Sequence, residues 1–98
     1  LRNNDDSHFY SGTWITSDGV TEPLDAAAIN MTPLVQSTVA GRSLPTEWRL
    51  QIAHKKFDVI ARALNPNAWM GTGIPYWEGP VNVTGSHTAV GYLEMTGY

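Results

Sequence analysis

Two neighbouring segments in the middle of the chain alternate between apolar and polar side chains, and this pattern restricts the fold more than any other feature. In EWRLQIA, the apolar Trp48, Leu50 and Ile52 fall on every second position, and FDVIARAL continues the same period. A period of two places alternate side chains on opposite faces of a β-strand. We therefore predict two strands joined as an antiparallel hairpin through the connection HKK.

Strand signals recur in the rest of the sequence. FYSGTWIT is rich in aromatic and β-branched residues, and the turn residues Ser17-Asp18-Gly19 lead it back towards VTEPLD. YWEGPVNVTG and AVGYLEMTGY give two final strands around the segment GSHT. The best helical candidate, LDAAAIN, is short and runs into Pro33. The pattern predicts an all-β domain of six or seven short strands, arranged as an antiparallel barrel or sandwich.

The segment NPNAWMGTGIP is the longest predicted loop. Its clusters of glycine, proline and asparagine mark a loop of about ten residues, and loops of this length in small domains often serve as lids or binding segments. Trp69 and Met70 lie within it, and Trp69 is the residue most expected to act in a lid or an interface. The glycines of GTG do not form a phosphate-binding loop, because neither Lys-Ser/Thr nor a helix follows them.

Composition narrows the functional classes. The 98 residues suit one domain spanning 1–98, and 42% hydrophobic with only 15% charged residues argues against disorder. Six basic against nine acidic residues give a net charge of −3, so we expect no nucleic-acid partner. No apolar run approaches the roughly 20 residues of a membrane span. The chain has no cysteine, and His8, His54 and His87 lack ligand spacing, so no metal or other cofactor is expected.

The last 24 residues carry a recognisable pair of motifs. PYWEGPVNVTG, followed closely by GYLEMTGY, resembles the C-terminal signature of the carotenoid 1,2-hydratase-like family, a lipocalin-like family that includes kievitone-hydratase-like proteins and decalin-forming cyclases. LPTEWRLQI is similar to the family's Tyr-Pro-x-x-Trp strand, with Leu44 in the place of the tyrosine.

The resemblance implies tandem lipocalin-like barrels with an apolar cavity, of which this chain corresponds to the last part of the second barrel. The expected fold is then a lipocalin-like barrel or half-barrel of six to eight short strands. The family's Trp-x-Asp-His-Glu-type motif has no counterpart in the sequence. Activity as a hydratase therefore stays an open question.

Two glutamates, one on each strand of the final hairpin, are the weak catalytic candidates. A three-residue connection, 85–87, would place Glu78 directly opposite Glu94, whereas two or four residues would send them to opposite faces. A protonated carboxylic acid beside an apolar cavity could protonate an alkene. The structural alternative is that Arg49 or Arg62, on the neighbouring hairpin, forms ion pairs with these carboxylates.

Aromatic residues are the other candidate site. In a lipocalin-like barrel such rings wall a pocket for an apolar or amphipathic small molecule, although they also dominate ordinary β cores. The candidate ligand-binding residues are Trp48, Trp69, Tyr76, Trp77 and Tyr92.

Three functions remain open from the sequence. The first is a binding module for an apolar or amphipathic small molecule, the second a hydratase- or cyclase-like enzyme acting on an isoprenoid or polyene substrate, and the third an assembly module without a ligand. Fewer than eight strands leave open sheet edges, so we also predict a homodimer that completes the sheet across two subunits.

Overall fold

The computed structural model describes residues 7–98 and confirms an all-β fold with eight strands. The strands are β1 Gly12–Ile15, β2 Thr21–Leu24, β3 Ile29–Val39, β4 Arg42–Ile52, β5 Phe57–Ala63, β6 Trp69–Met70, β7 Tyr76–Gly85 and β8 Ala89–Thr96. Two short 3₁₀ turns, Ala26–Ala28 and Ala53–Lys55, are the helical segments of this part of the chain.

Six of the strands form one antiparallel sheet. Its order is β3-β4-β5-β7, with the two-residue β6 sharing one edge of β7 with β5 and with β8 on the other edge of β7. The sheet does not close on itself, because β3 and β8 occupy its two ends. The predicted lipocalin-like half-barrel is compatible with this open sheet, and a closed barrel is not.

The predicted hairpin of β4 and β5 sets the two faces of the sheet. Trp48 lies opposite Ala61 and Leu50 opposite Val59 on one face, which we call the core face. The intervening residues, including Arg49 opposite Ile60, lie on the other face, which we call the outer face. The left-handed conformation of Lys56, with φ of 51°, completes the tight connection between the strands.

A compact apolar cluster holds the core face together. Trp77 is fully buried, and its indole Nε1 donates a 2.8 Å hydrogen bond to the carbonyl oxygen of Pro66. Burying an aromatic side chain of this size contributes roughly 1.5–3 kcal/mol or more through the hydrophobic effect. The buried members of the cluster are Val39, Leu44, Ala63, Trp77 and Met95.

The remaining two strands form a separate hairpin, as the turn Ser17-Asp18-Gly19 predicted. Trp14 attaches this hairpin to the large sheet through an edge-on contact with Phe57, at a centroid distance of 5.6 Å. Lys55 lies over the Trp14 ring and also forms an ion pair with Glu22 of β2.

The structure contains a third strand that the sequence pattern did not predict. LDAAAIN forms one 3₁₀ turn and then continues directly into β3, which runs for 11 residues through Pro33. The β3–β4 register shifts between Pro33 and Val35 and again between Val35 and Gln36. These irregularities let an edge strand accommodate a proline, which cannot donate to a ladder hydrogen bond.

Candidate functional site

The connection between the last two strands has the length that brings the two glutamates together. The β7–β8 register places Glu78 directly opposite Glu94 and Val83 opposite Ala89. Gly85 permits the turn with a φ of 126°, a conformation that side-chain-bearing residues rarely adopt. The Ser86 N–H donates to the Asp58 carbonyl oxygen at 3.0 Å, and Ser86 Oγ accepts from the Asp58 N–H at 2.8 Å.

Two tyrosines accompany the glutamates on the outer face. The negative charge of Glu78 is the main cause that raises the pKa of Tyr76, followed by burial and the charge of Glu94. Burial is the main cause that raises the pKa of Tyr92, followed by the charge of Glu78. Tyr76, Glu78, Tyr92 and Glu94 therefore form one electrostatically coupled set, which we call the hairpin cluster.

The two arginines proposed to pair with the carboxylates of the hairpin cluster form ion pairs with other acidic residues. Arg49 instead forms an ion pair with Asp58. Its Nε and Nη2 atoms donate to the two carboxylate oxygens at 2.9 and 2.7 Å. Arg62 pairs with Glu47. The partners differ from the expected ones because each arginine lies on the β4–β5 hairpin beside an acidic residue of the neighbouring strand.

The five aromatic candidates divide between the two faces. Trp48, Trp69 and Trp77 pack together with the apolar cluster of the core face. Tyr76 and Tyr92 alternate with core-facing residues and belong to the outer face. The five rings therefore do not line a single pocket.

Trp48 has a distinctive polar atom. Its indole Nε1 is buried without a hydrogen-bond partner, and it is the only such side-chain nitrogen or oxygen among residues 7–98. Buried tryptophan N–H groups usually find an acceptor, and leaving one unpaired costs roughly 1–3 kcal/mol. The core face thus offers a hydrogen-bond donor without an acceptor from this part of the chain.

Trp69 is part of β6 and is held from two sides. It lies opposite Trp77 in the β6–β7 register, and the Arg42 guanidinium lies 4.6 Å from its ring centroid. Such a cation–π contact contributes about 0.5–1 kcal/mol at an exposed site. The glycine-rich remainder of the predicted loop, 71–75, is exposed.

A shallow depression lies along β3, on the same face as Trp48. It measures about 180 Å³ and is lined by Phe9, Tyr10, Ser11, Ile29 and Met31. Met31 lies opposite Leu50 on β4. Leu50 is two residues from Trp48 along the same strand, a separation of about 7 Å. The depression and Trp48 therefore lie near each other on the core face.

A larger depression of about 440 Å³ lies beside the Arg49–Asp58 pair. It is also bordered by Leu34, Ile60 and Thr84. None of the aromatic candidates lines it. Its arginine is already occupied by a carboxylate, so this depression offers no free charge for a ligand.

His87 contacts a serine hydroxyl group and two aromatic rings. His87 Nδ1 lies 2.9 Å from Ser86 Oγ, and the His87 ring lies 5.0 Å from that of Phe57. Within residues 7–98, no group of three His, Cys, Asp or Glu side chains could hold a metal ion. The sequence did not reveal the ring contacts of His87, because Trp14, Phe57 and His87 come from three distant segments.

The open antiparallel sheet, with its aromatic core face and hairpin connections, defines a lipocalin-like β domain. The sequence model of the family described as AttH-like matches residues 1–98, so the chain belongs to this family, which is related to carotenoid hydratase-type proteins. No curated protein and no solved structure matches the chain. In the part of the chain that the structure describes, no helix has the length and apolar character needed to cross a membrane.

Proposed function

We propose that this domain binds an apolar or amphipathic small molecule on its core face, and that it does so as a homodimer. The observation that carries the binding proposal is the buried, unpaired Nε1 of Trp48. A ligand with an apolar body and one acceptor oxygen would supply both the missing hydrogen bond and further apolar contact.

The depression beside β3 gives such a ligand a place to lie. Its lining is mostly apolar, and Ile29, Met31 and Leu50 are only partly buried. The volume of about 180 Å³ is smaller than the roughly 300–1,000 Å³ of a typical ligand pocket. The ligand would therefore occupy the depression with one end and extend along the sheet towards Trp48 with the other.

Matched ligands test this proposal. We expect methyl undecyl ketone to displace the dye N-phenylnaphthylamine at a concentration roughly 2- to 10-fold lower than tridecane does, because one hydrogen bond contributes about 0.5–1.5 kcal/mol. Trp48→Phe should abolish this difference while retaining tridecane binding. Tyr92→Phe, which removes a hydroxyl group from the opposite face, should behave like the unsubstituted protein.

The same experiment separates binding from assembly. Saturable one-to-one uptake of the dye supports the binding function. If neither the dye nor either ligand binds saturably, the binding proposal is wrong and an assembly module without a ligand becomes the better description.

A hydratase- or cyclase-like activity is the second candidate. Its support is the direct opposition of Glu78 and Glu94, flanked by two tyrosines. Protonation of an alkene needs a carboxylic acid sheltered from water, whereas Glu94 is exposed and Glu78 is only partly buried. Turnover of a polyene or terminal alkene that is lost in both Glu78→Gln and Glu94→Gln would favour this function over simple binding.

A further inference from the structure

The two outer strands of the large sheet differ in how they protect their free edges. Among the strands within residues 7–98, β3 pairs only with β4, and β8 pairs only with β7. A free edge presents unpaired N–H and C=O groups, which another strand can use for pairing. The features that discourage such pairing are proline, bulges and charged side chains, lysine above all.

The β3 edge carries two of these features. Pro33 has no N–H to donate, and two register shifts follow within three residues, between Pro33 and Gln36. A straight partner strand could not keep a regular ladder across this region. The β3 edge is therefore poorly suited to extension of the sheet.

The β8 edge carries one of them, the single charge of Glu94 near its C-terminal end. Its sequence, AVGYLEMT, has no proline, lysine or arginine, and its register with β7 is continuous from Tyr76–Thr96 to Val83–Ala89. Two large apolar side chains on its outer-face side, Val90 and Tyr92, are 76% and 66% exposed. The edge of β8 is therefore suited to pairing with a strand of another chain.

We infer that β8 pairs with β8 of a second copy, antiparallel and about a two-fold axis at Gly91. This register places Val90 opposite Tyr92 of the other copy and Ala89 opposite Leu93. The two-fold axis repeats each of these apolar pairs, so each occurs twice in the dimer. Glu94 then lies opposite Thr88, and the two Glu94 carboxylates stay apart. A two-fold axis at Tyr92 would instead place Val90 opposite a glutamate.

This pairing rests on the proposed homodimer and identifies its interface. Both core faces lie on the same side of the joined sheet, because a two-fold axis perpendicular to the sheet maps each face onto itself. The two sets of Trp48 and Met31 would therefore face the same direction. Alternative partners, such as a strand from another protein, would leave the isolated chain monomeric.

A lysine substitution tests the interface. Light scattering at graded concentrations should show a dimer. Val90→Lys should raise the dissociation constant of the dimer at least roughly tenfold, because it removes two cross-strand apolar pairs. Val20→Lys, at a position that is 60% exposed and outside the strands, should leave the dimer unchanged. Circular dichroism should show the same β content in all three proteins.

Disulfide trapping tests the register independently, since the chain has no cysteine of its own. The double variant Val90→Cys/Tyr92→Cys should form a covalent dimer on mild oxidation, whereas each single variant should remain mostly uncrosslinked. A monomer in light scattering would overturn both this inference and the proposed homodimer. A dimer that is insensitive to Val90→Lys and not trapped by the double variant would overturn only the β8 interface.

Discussion

Glu78 lies directly opposite Glu94 across the last two strands, and the three-residue connection 86–88 between the strand ends sets this register. A connection one residue shorter or longer would have placed the two carboxylates on different faces. Their joint position gives the outer face an acidic centre beside Tyr76 and Tyr92.

Glu78→Gln should lower the pKa of both tyrosines, because it removes the negative charge that disfavours their phenolate forms. A spectrophotometric titration of phenolate absorbance checks this expectation. Glu47→Gln removes an equal charge from the β4–β5 hairpin and serves as the control. A titration curve that is the same for Glu78→Gln and the unsubstituted protein would contradict the coupling within the hairpin cluster.

Gly85→Ala should destabilise the protein by roughly 1–3 kcal/mol, because strained backbone conformations at non-glycine residues carry costs of this order. Gly85 has a φ of 126°, and an added Cβ would lie 2.6 Å from the Asp58 carbonyl oxygen. Gly71→Ala is the matched control, since nothing lies within 4 Å of its added Cβ. The measurement is urea unfolding, and equal midpoints for the two variants would disprove the strain argument.

Trp77→Ala should reduce the free energy of unfolding by about 3–5 kcal/mol, the usual cost of removing a large buried aromatic side chain. The loss combines a cavity among Leu44, Ala63 and Met95 with an unpaired Pro66 carbonyl. Ile74→Ala, at a 77% exposed position, should cost much less. If Trp77→Ala prevents folding, Trp77→Phe should show an intermediate loss in the same urea experiment.

Acid should weaken the contribution of the Arg49–Asp58 pair. The hydrogen bonds from Arg49 lower the pKa of Asp58 in the folded protein, with a further contribution from its charge. The unfolded chain therefore binds more protons as the pH falls below the unfolded carboxyl pKa of about 3.9. The stabilisation is full above that pH and is lost as the pH falls through the folded pKa.

Urea unfolding across this pH range measures the effect. Asp58→Asn should remove part of the acid sensitivity, whereas Asp25→Asn, outside the pair, should retain it. An identical pH dependence of the free energy of unfolding in Asp58→Asn and the unsubstituted protein would show that the pair does not contribute.

The strand class and the local pairings could be predicted from the sequence. Alternation in EWRLQIA and FDVIARAL predicted β4 and β5, and the turn Ser17-Asp18-Gly19 predicted the first hairpin, because period and turn chemistry are local properties. The motifs of the final hairpin also indicated a lipocalin-like family, and the match to the AttH-like family supports that relationship.

Which side chains share a face, and which partners they contact, depends on how distant segments fold together. From the sequence, the five aromatic residues form one set of ligand-binding candidates. Their strands place them on two faces of the sheet. Arg49 and Arg62 could have met several carboxylates, and the β4–β5 register selected Asp58 and Glu47. The unpaired N–H of Trp48 became visible only with the fold, because burial depends on contacts between distant segments.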